Sequence, residues 1–270
     1  MAIHLLHGCA REWAGGQQIF RNIAPEAALR SYLRARSSPY RAGPPSGPGD
    51  ILTIDDSTRA AGHAAALARE CGHHVRLFVN AHQVETGEPY FFSLLNACLD
   101  ARREARVSYG GEVYDLGQGI DVFRRAAKAV LSALTPEAAC SHVAEIGELL
   151  NCSAYALEEH AQTLSRRELL NLVDMGVTIE NHGRSHQDID SLDDDVLRRD
   201  VAQTRDWLGA QLNVHAMEYA LPFGRTVRHR SMIGELAEIV YLVGPTSSQV
   251  GRNVWTRIEI TPELCRVAAA

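Results

Sequence analysis

A parallel α/β architecture, closed into a barrel or wound as an open sheet, is predicted for this 270-residue chain by two observations. Seven short β-branched or apolar runs recur along the sequence, and longer stretches of helical periodicity lie between them. Such alternation is the signature of βαβ units, because parallel neighbours need a crossover and the crossover is usually a helix. In either variant a functional site is expected at the carboxyl ends of the strands.

The elements follow in order. Residues 3–6 are the first strand, and 25–36 read as a helix with Pro25 in its first turn, where the missing N–H costs nothing. The Pro/Gly-rich stretch 39–50 is a connection, too short to be a domain linker. Strand 51–54, helix 60–71 and strand 75–79 continue the alternation. Nearly a hundred residues then intervene before the next strand, 177–180. Helical patterns at 91–106, 121–134, 136–150 and 166–175 fill this gap, far more than one crossover requires. They predict one domain, 1–270, with a helical insertion at about 85–175, either a lid over the site or a pack on the outer wall. Tyr90-Phe91-Phe92 reads as insertion core in preference to an interface. Helix 193–211 opens on Asp193 to Asp195, charges that suit a helix N-terminus. Strand 217–221, helix 231–238 and strands 239–243 and 254–260 complete the series.

Composition narrows the partners. A formal charge of -6 argues against broad nucleic-acid or anionic-membrane binding, which wants a basic face. No run approaches the length of a membrane span. The first residues lack the charged and apolar regions of a secretory leader, and six scattered cysteines form no Cys-x-x-Cys pair. A cytoplasmic protein with reduced thiols is therefore expected. Twelve histidines make a metal or proton-transfer site worth seeking.

Three clusters carry chemistry. At 51–57, an apolar strand runs into Asp55-Asp56. Two carboxylates at a strand end suit a metal ligand and a base, although Asp is equally a favoured helix cap. At 177–188, a strand runs into His182 and His186, four residues apart, which can share a metal if a third ligand joins them. Chance alone gives about half such a pair in a chain with this many histidines, so context decides. At 217–225, a strand stops at Pro222-Phe223-Gly224, by itself no more than a turn.

Taken together and in this order, the three resemble the motifs of the polysaccharide deacetylases of the NodB-homology type, carbohydrate esterase family 4. Thr53-Ile54-Asp55-Asp56-Ser57 is similar to the family's Thr-Phe-Asp-Asp-Gly. Asn181-His182-Gly183-Arg184-Ser185-His186 is similar to its histidine motif, and Ala220-Leu221-Pro222-Phe223-Gly224 to its Arg-x-Pro-Phe/Tyr-Gly. The resemblance implies a distorted seven-stranded (β/α) barrel and metal-dependent removal of an N-acetyl or similar acyl group from an amino sugar or small amide. It implies Asp55 as catalytic base, and Asp56, His182 and His186 as ligands of a divalent metal, zinc foremost. It further implies Ser185 as a brace of the histidine loop and Pro222, Phe223 and Gly224 as a wall of the substrate groove.

Three departures stand out. Ala220 replaces the third-motif arginine, which in the family holds the catalytic aspartate, and Ser57 replaces a glycine. No Leu-x-His closes the chain, where the family keeps its catalytic acid. His7, His63, His82, His229 or Asp55 itself are candidates for the proton donor, and Arg257 for the lost arginine's charge. The alternatives are a deacetylase-like binding or regulatory module without turnover, and a hydrolase of a different amide or ester. The absence of an export signal favours a small soluble amide over an extracellular polymer.

Overall fold

The computed structural model describes residues 1–10, 22–152 and 156–267. Seven parallel strands close a barrel: β1 (Ile3–Leu6), β2 (Ile51–Asp55), β3 (Arg76–Val79), β4 (Thr178–Asn181), β5 (Glu218–Ala220), β6 (Ile239–Val243) and β7 (Val254–Glu259). Each strand pairs with its predecessor, and β1 seals the ring, its Leu5 facing Thr53 of β2 on one side and Glu259 of β7 on the other. Every residue of β2 and β3 is buried, as befits strands covered on both faces.

Helices α1 (Glu26–Arg34), α2 (Arg59–Glu70), α7 (Arg166–Asp174) and α8 (Asp194–Leu212) pack around the strands. Alanines 60, 61, 64, 65 and 68 of α2 are buried, a small-residue face that lets the helix approach the barrel closely. Its N-cap is Thr58, whose side chain accepts the Ala61 N–H, so Asp55 and Asp56 are not spent on capping. A capping box, Ser165 with Glu168, starts α7. The short helix α3 (Ala81–Thr86) follows β3, and α9 (Pro262–Val267) follows β7.

The long segment between β3 and β4 has its own apolar cluster. It is built from α4 (Phe91–Asp100), a hairpin, α5 (Leu116–Leu131) and α6 (Pro136–Leu149), with Leu99, Phe123, Leu131, Val143 and Ile146 at its centre. The expected span of about 85–175 also takes in α7, but Leu169 and Leu172 of α7 belong to the barrel's cluster with α2 and α8. The separately packed part runs from Phe91 to Cys152.

Two expected helices differ. The pattern at 91–106 ends at Asp100, and Arg106–Tyr109 pairs antiparallel with Glu112–Asp115 across Gly110-Gly111, both at positive φ. That is the backbone a two-residue hairpin turn requires. The expected helix 231–238 is only a single 3-10 turn, Ile233–Glu235. Here the Asn253 side chain donates to the carbonyls of Gly234, Ala237 and Glu238, taking acceptors a helix would use. Among the described residues no helix is long and apolar enough to cross a membrane.

Candidate metal centre

The three clusters converge at the carboxyl-end mouth of the barrel. Asp55, the last residue of β2, is buried, and Arg257 of β7 clamps it with two parallel hydrogen bonds, Nη1 to Oδ1 and Nη2 to Oδ2, both 2.6 Å. Nη1 also donates to Thr53 Oγ1 at 3.2 Å, and Arg257 is fully buried. Burial works to raise the Asp55 pKa, but the guanidinium, with His182 and His7 beyond it, outweighs burial and holds it below the usual carboxylate range. Arg257 thus supplies from β7 the charge that Ala220 lacks on β5.

Asp56 turns away on left-handed backbone, φ 75°. Its Oδ1 lies 3.1 Å from His186 Nε2 and 3.6 Å from His182 Nε2. The His182 Nδ1–H donates to the Ala220 carbonyl at 2.8 Å, so Nε2 presents its lone pair to the centre. Burial, the largest influence, pushes His182 down to about 4, which keeps the ring neutral at physiological pH. His186, at φ 56°, is wedged edge-on against Phe92, Tyr90 and Phe223.

The donor atoms of Asp56, His182 and His186 all lie within 4.8 Å of one another. Asp56 Oδ1 is buried yet accepts no hydrogen bond. A carboxylate oxygen left unpaired beside two imidazole nitrogens is costly unless a cation occupies the gap. One carboxylate and two imidazoles are a ligand set that suits zinc and tolerates other divalent ions. The residues fit a metal.

The histidine loop is held from behind. Asn80 donates to the carbonyls of His182 and Gly183, at 2.6 and 3.1 Å, and its Oδ1 accepts the Tyr90 hydroxyl. Tyr90 in turn accepts the Ser57 N–H, tying the aspartate loop to the insertion. Asn181 donates to Val201 O and accepts from Gly183 N, and Asp200 accepts from Arg184 N. Gly183 has φ 77°, and a Cβ there would lie 2.9 Å from Asp200 Oδ2. Ser185, the expected brace, makes no side-chain hydrogen bond among the described residues; the two asparagines and Asp200 do that work.

A cavity of about 250 Å³ opens on this centre. Phe223 and Gly224 line it, while Pro222 is buried behind them. The insertion supplies another wall through Phe92, Ser93, Asn96, Arg124 and Lys128. The Lys128 ammonium lies 5.0 Å from the Phe223 ring centre and 5.5 Å from that of Phe92. Burial pushes its pKa down to about 8.

Of the histidines considered as proton donors, His7 alone lines the cavity. His63 pairs with Glu26, and His82 with Glu88. His229 is locked between Asp194 and the carbonyls of Ile189 and Leu192.

Asn80, Glu259 and Lys128 were not anticipated. Asn80 and Glu259 do stand at strand ends, like the motif residues, and that is the one signal that could have found them.

Residues 126–239 match the family model described as polysaccharide deacetylase. The match takes in the histidine and Pro-Phe-Gly clusters and begins after Asp55-Asp56. The solved structures it is similar to include a deacetylase from Streptococcus pyogenes, PplD, in complex with acetate. That pair has a TM-score of 0.62 and 14% identity over 100% of this chain and 98% of the other. The chain is also similar to IcaB from Ammonifex degensii, with a TM-score of 0.55 and 14% identity over 99% and 96%. A polysaccharide deacetylase from Bacillus cereus, BC0361, gives 0.59 and 10% over 100% and 68%. The chain resembles the polysaccharide deacetylases. No curated protein matches it in sequence. Its seven-stranded parallel barrel is the fold these deacetylases share.

Proposed function

We propose that this protein is a divalent-metal-dependent hydrolase that removes an acetyl or similar small acyl group from the nitrogen of an amino sugar or small amide. The observation that carries this reading is the unpaired, buried Asp56 Oδ1 facing two Nε2 atoms, next to a carboxylate held ionised by Arg257.

Asp56, His182 and His186 would hold the metal. A divalent cation there supplies Lewis-acid polarisation of the acyl carbonyl and acidifies a water. Asp55, fixed at both oxygens by Arg257, takes the water's proton as general base. Its position 3.9 Å from His182 Nε2 sets it beside the ligand cluster. Phe223 and Phe92 flank His186 and line the cavity in which the acyl group would rest. The Streptococcus relative was solved with acetate, the product such a reaction releases.

The insertion walls one side of the cavity, and this favours a small soluble substrate over a polymer threading an open groove. The missing third-motif arginine was one of two reasons to consider a module without turnover, and Arg257 removes it.

The test is to purify the protein, measure bound metal, and assay N-acetylated monosaccharides against chitooligosaccharides. Metal-dependent acetate release from the monosaccharides is expected, with metal content lost in Asp56→Ala and His186→Ala. Unchanged metal in both variants refutes the ligand assignment. Activity rising steeply with chain length refutes the small substrate.

A further inference from the structure

Of the 27 lysines and arginines in the sequence only one is a lysine, and it lies in the wall of the cavity that opens on the metal centre. Lys128 stands on α5 of the insertion and is half-buried. Its ammonium sits over the rings of Phe223 and Phe92. The same two rings flank His186, with ring centres 4.7 and 5.3 Å from its own. A single layer of aromatic side chains therefore links this cation to the ligand cluster.

Charge in the cavity is unevenly matched. Three carboxylates line it, Asp55, Asp56 and Glu259, and each is already engaged. Arg257 clamps Asp55, Asp56 faces the two imidazoles, and Glu259 Oε1 lies 3.3 Å from His7 Nδ1. Among the described residues no carboxylate pairs with Lys128 and no group hydrogen-bonds it. Arg124, one turn earlier on the same helix, lines the cavity as well, its Nε donating to Asn96 Oδ1 at 2.6 Å. Burial, and after it Arg124, push the Lys128 pKa down to about 8, and Asp56 and Glu259 offset this only in part. Aromatic faces attract an ammonium without neutralising it. Lysine also suits the space: its compact charge occupies less of a cavity of about 250 Å³ than the planar fork of an arginine.

We propose that Lys128 is a specificity residue that binds an anionic group of the substrate, so that the amide taken by this site carries a carboxylate or a phosphate. This rests on the hydrolase reading above and narrows it. The cavity is small, so the acyl group at the metal centre and the anion at Lys128 belong to one small molecule. The insertion then does more than wall the cavity: it supplies the charge by which one N-acyl compound is told from another.

The experiment has two arms, both on the metal-loaded full chain at pH 7. The first compares kcat/KM for acetate release from N-acetylglucosamine, its 1-phosphate, its 6-phosphate and the analogue with a carboxylate at carbon 6. At least one anionic sugar is expected to exceed the neutral one by about 10- to 100-fold, the usual worth of a hydrogen bond between charged groups, and Lys128→Met is expected to bring that ratio close to one. Which anion gains most separates phosphate from carboxylate. The second arm uses the single lysine directly. An amine-reactive acylating reagent labels Lys128 and the α-amine, and peptide mass spectrometry reads each. The favoured anionic sugar is expected to slow labelling of Lys128 and not of the α-amine, whereas N-acetylglucosamine slows neither. Equal turnover of all four sugars, or an anionic preference that survives in Lys128→Met, overturns the proposal. So does a Lys128 that no anionic sugar protects. Protection without acetate release from any of the sugars keeps the anion site and overturns the hydrolase reading instead.

Discussion

Two arginines are buried inside the same barrel, and they serve opposite ends of it. Arg76, at the start of β3, binds Glu218, at the start of β5, through Nε at 2.8 Å. Tyr241 donates to the same carboxylate at 3.0 Å, and Glu180 accepts the backbone N–H groups of Met217 and Glu218. No side-chain atom of this floor cluster is left unpaired. At the mouth, Arg257 holds Asp55 just as tightly, yet Asp56 Oδ1 and His186 Nδ1 beside it have no hydrogen-bond partner. A closed network of buried charges specifies structure, while one built with a gap specifies a ligand.

The contrast can be broken by experiment. Its largest consequence concerns Asp55: the Asp55→Asn variant should lose about 10²- to 10⁴-fold in kcat/KM while keeping its metal, since a base and not a ligand is removed. Metal analysis beside steady-state kinetics checks both halves. Next, Arg257→Met and Arg76→Met should each cost about 3–5 kcal/mol in denaturant unfolding, because each strands a buried carboxylate. Only the first should reduce the turnover of the folded fraction. Equal catalytic losses would erase the distinction between mouth and floor.

Smaller effects sharpen it. Tyr90→Phe removes the hydroxyl that joins Ser57 to Asn80, leaving two buried groups short of a partner, and should cost about 1–3 kcal/mol by thermal or denaturant melting. Last, Glu180 is pushed up to about 8 by burial and by the charge of Glu218. Its folded pKa lies above the unfolded value of 4.5, so its contribution is fully present below about 4.5 and is lost as pH rises through about 8. Glu180→Gln should flatten the fall in stability across that window, read as melting temperature against pH.

Much of the barrel was legible because each strand is a short apolar run between helical patterns, and all seven are predicted to within one residue at either end. The Asp55-Asp56, His182 and His186 constellation was legible because its members are close in sequence within each cluster. Arg257 was harder. It reaches Asp55 only through closure of the ring, across more than two hundred residues, so its place near a strand made it no more than a candidate for the lost arginine's charge. The helix expected at 231–238 failed for the same reason: Asn253, on a later segment, competes for its carbonyls. The hairpin at 106–115 did carry a local signal, Gly110-Gly111 between alternating residues, which the helical reading passed over.

Five non-glycine residues have left-handed backbone among those described: Asp56, Asn151, His186, Asn213 and Phe223. Two are asparagines just past helix ends, where that conformation is mild. The other three all belong to the mouth, and of these His186 and Phe223 carry bulky rings for which the conformation costs about 1–3 kcal/mol each. Glycine would relax both corners. A campaign that screened variants for heat resistance alone would therefore be drawn toward those two positions, and each step gained there would dismantle the site. Thermal robustness and catalysis compete in this molecule at two identifiable peptide units, and any stabilised version should be built by leaving them strained.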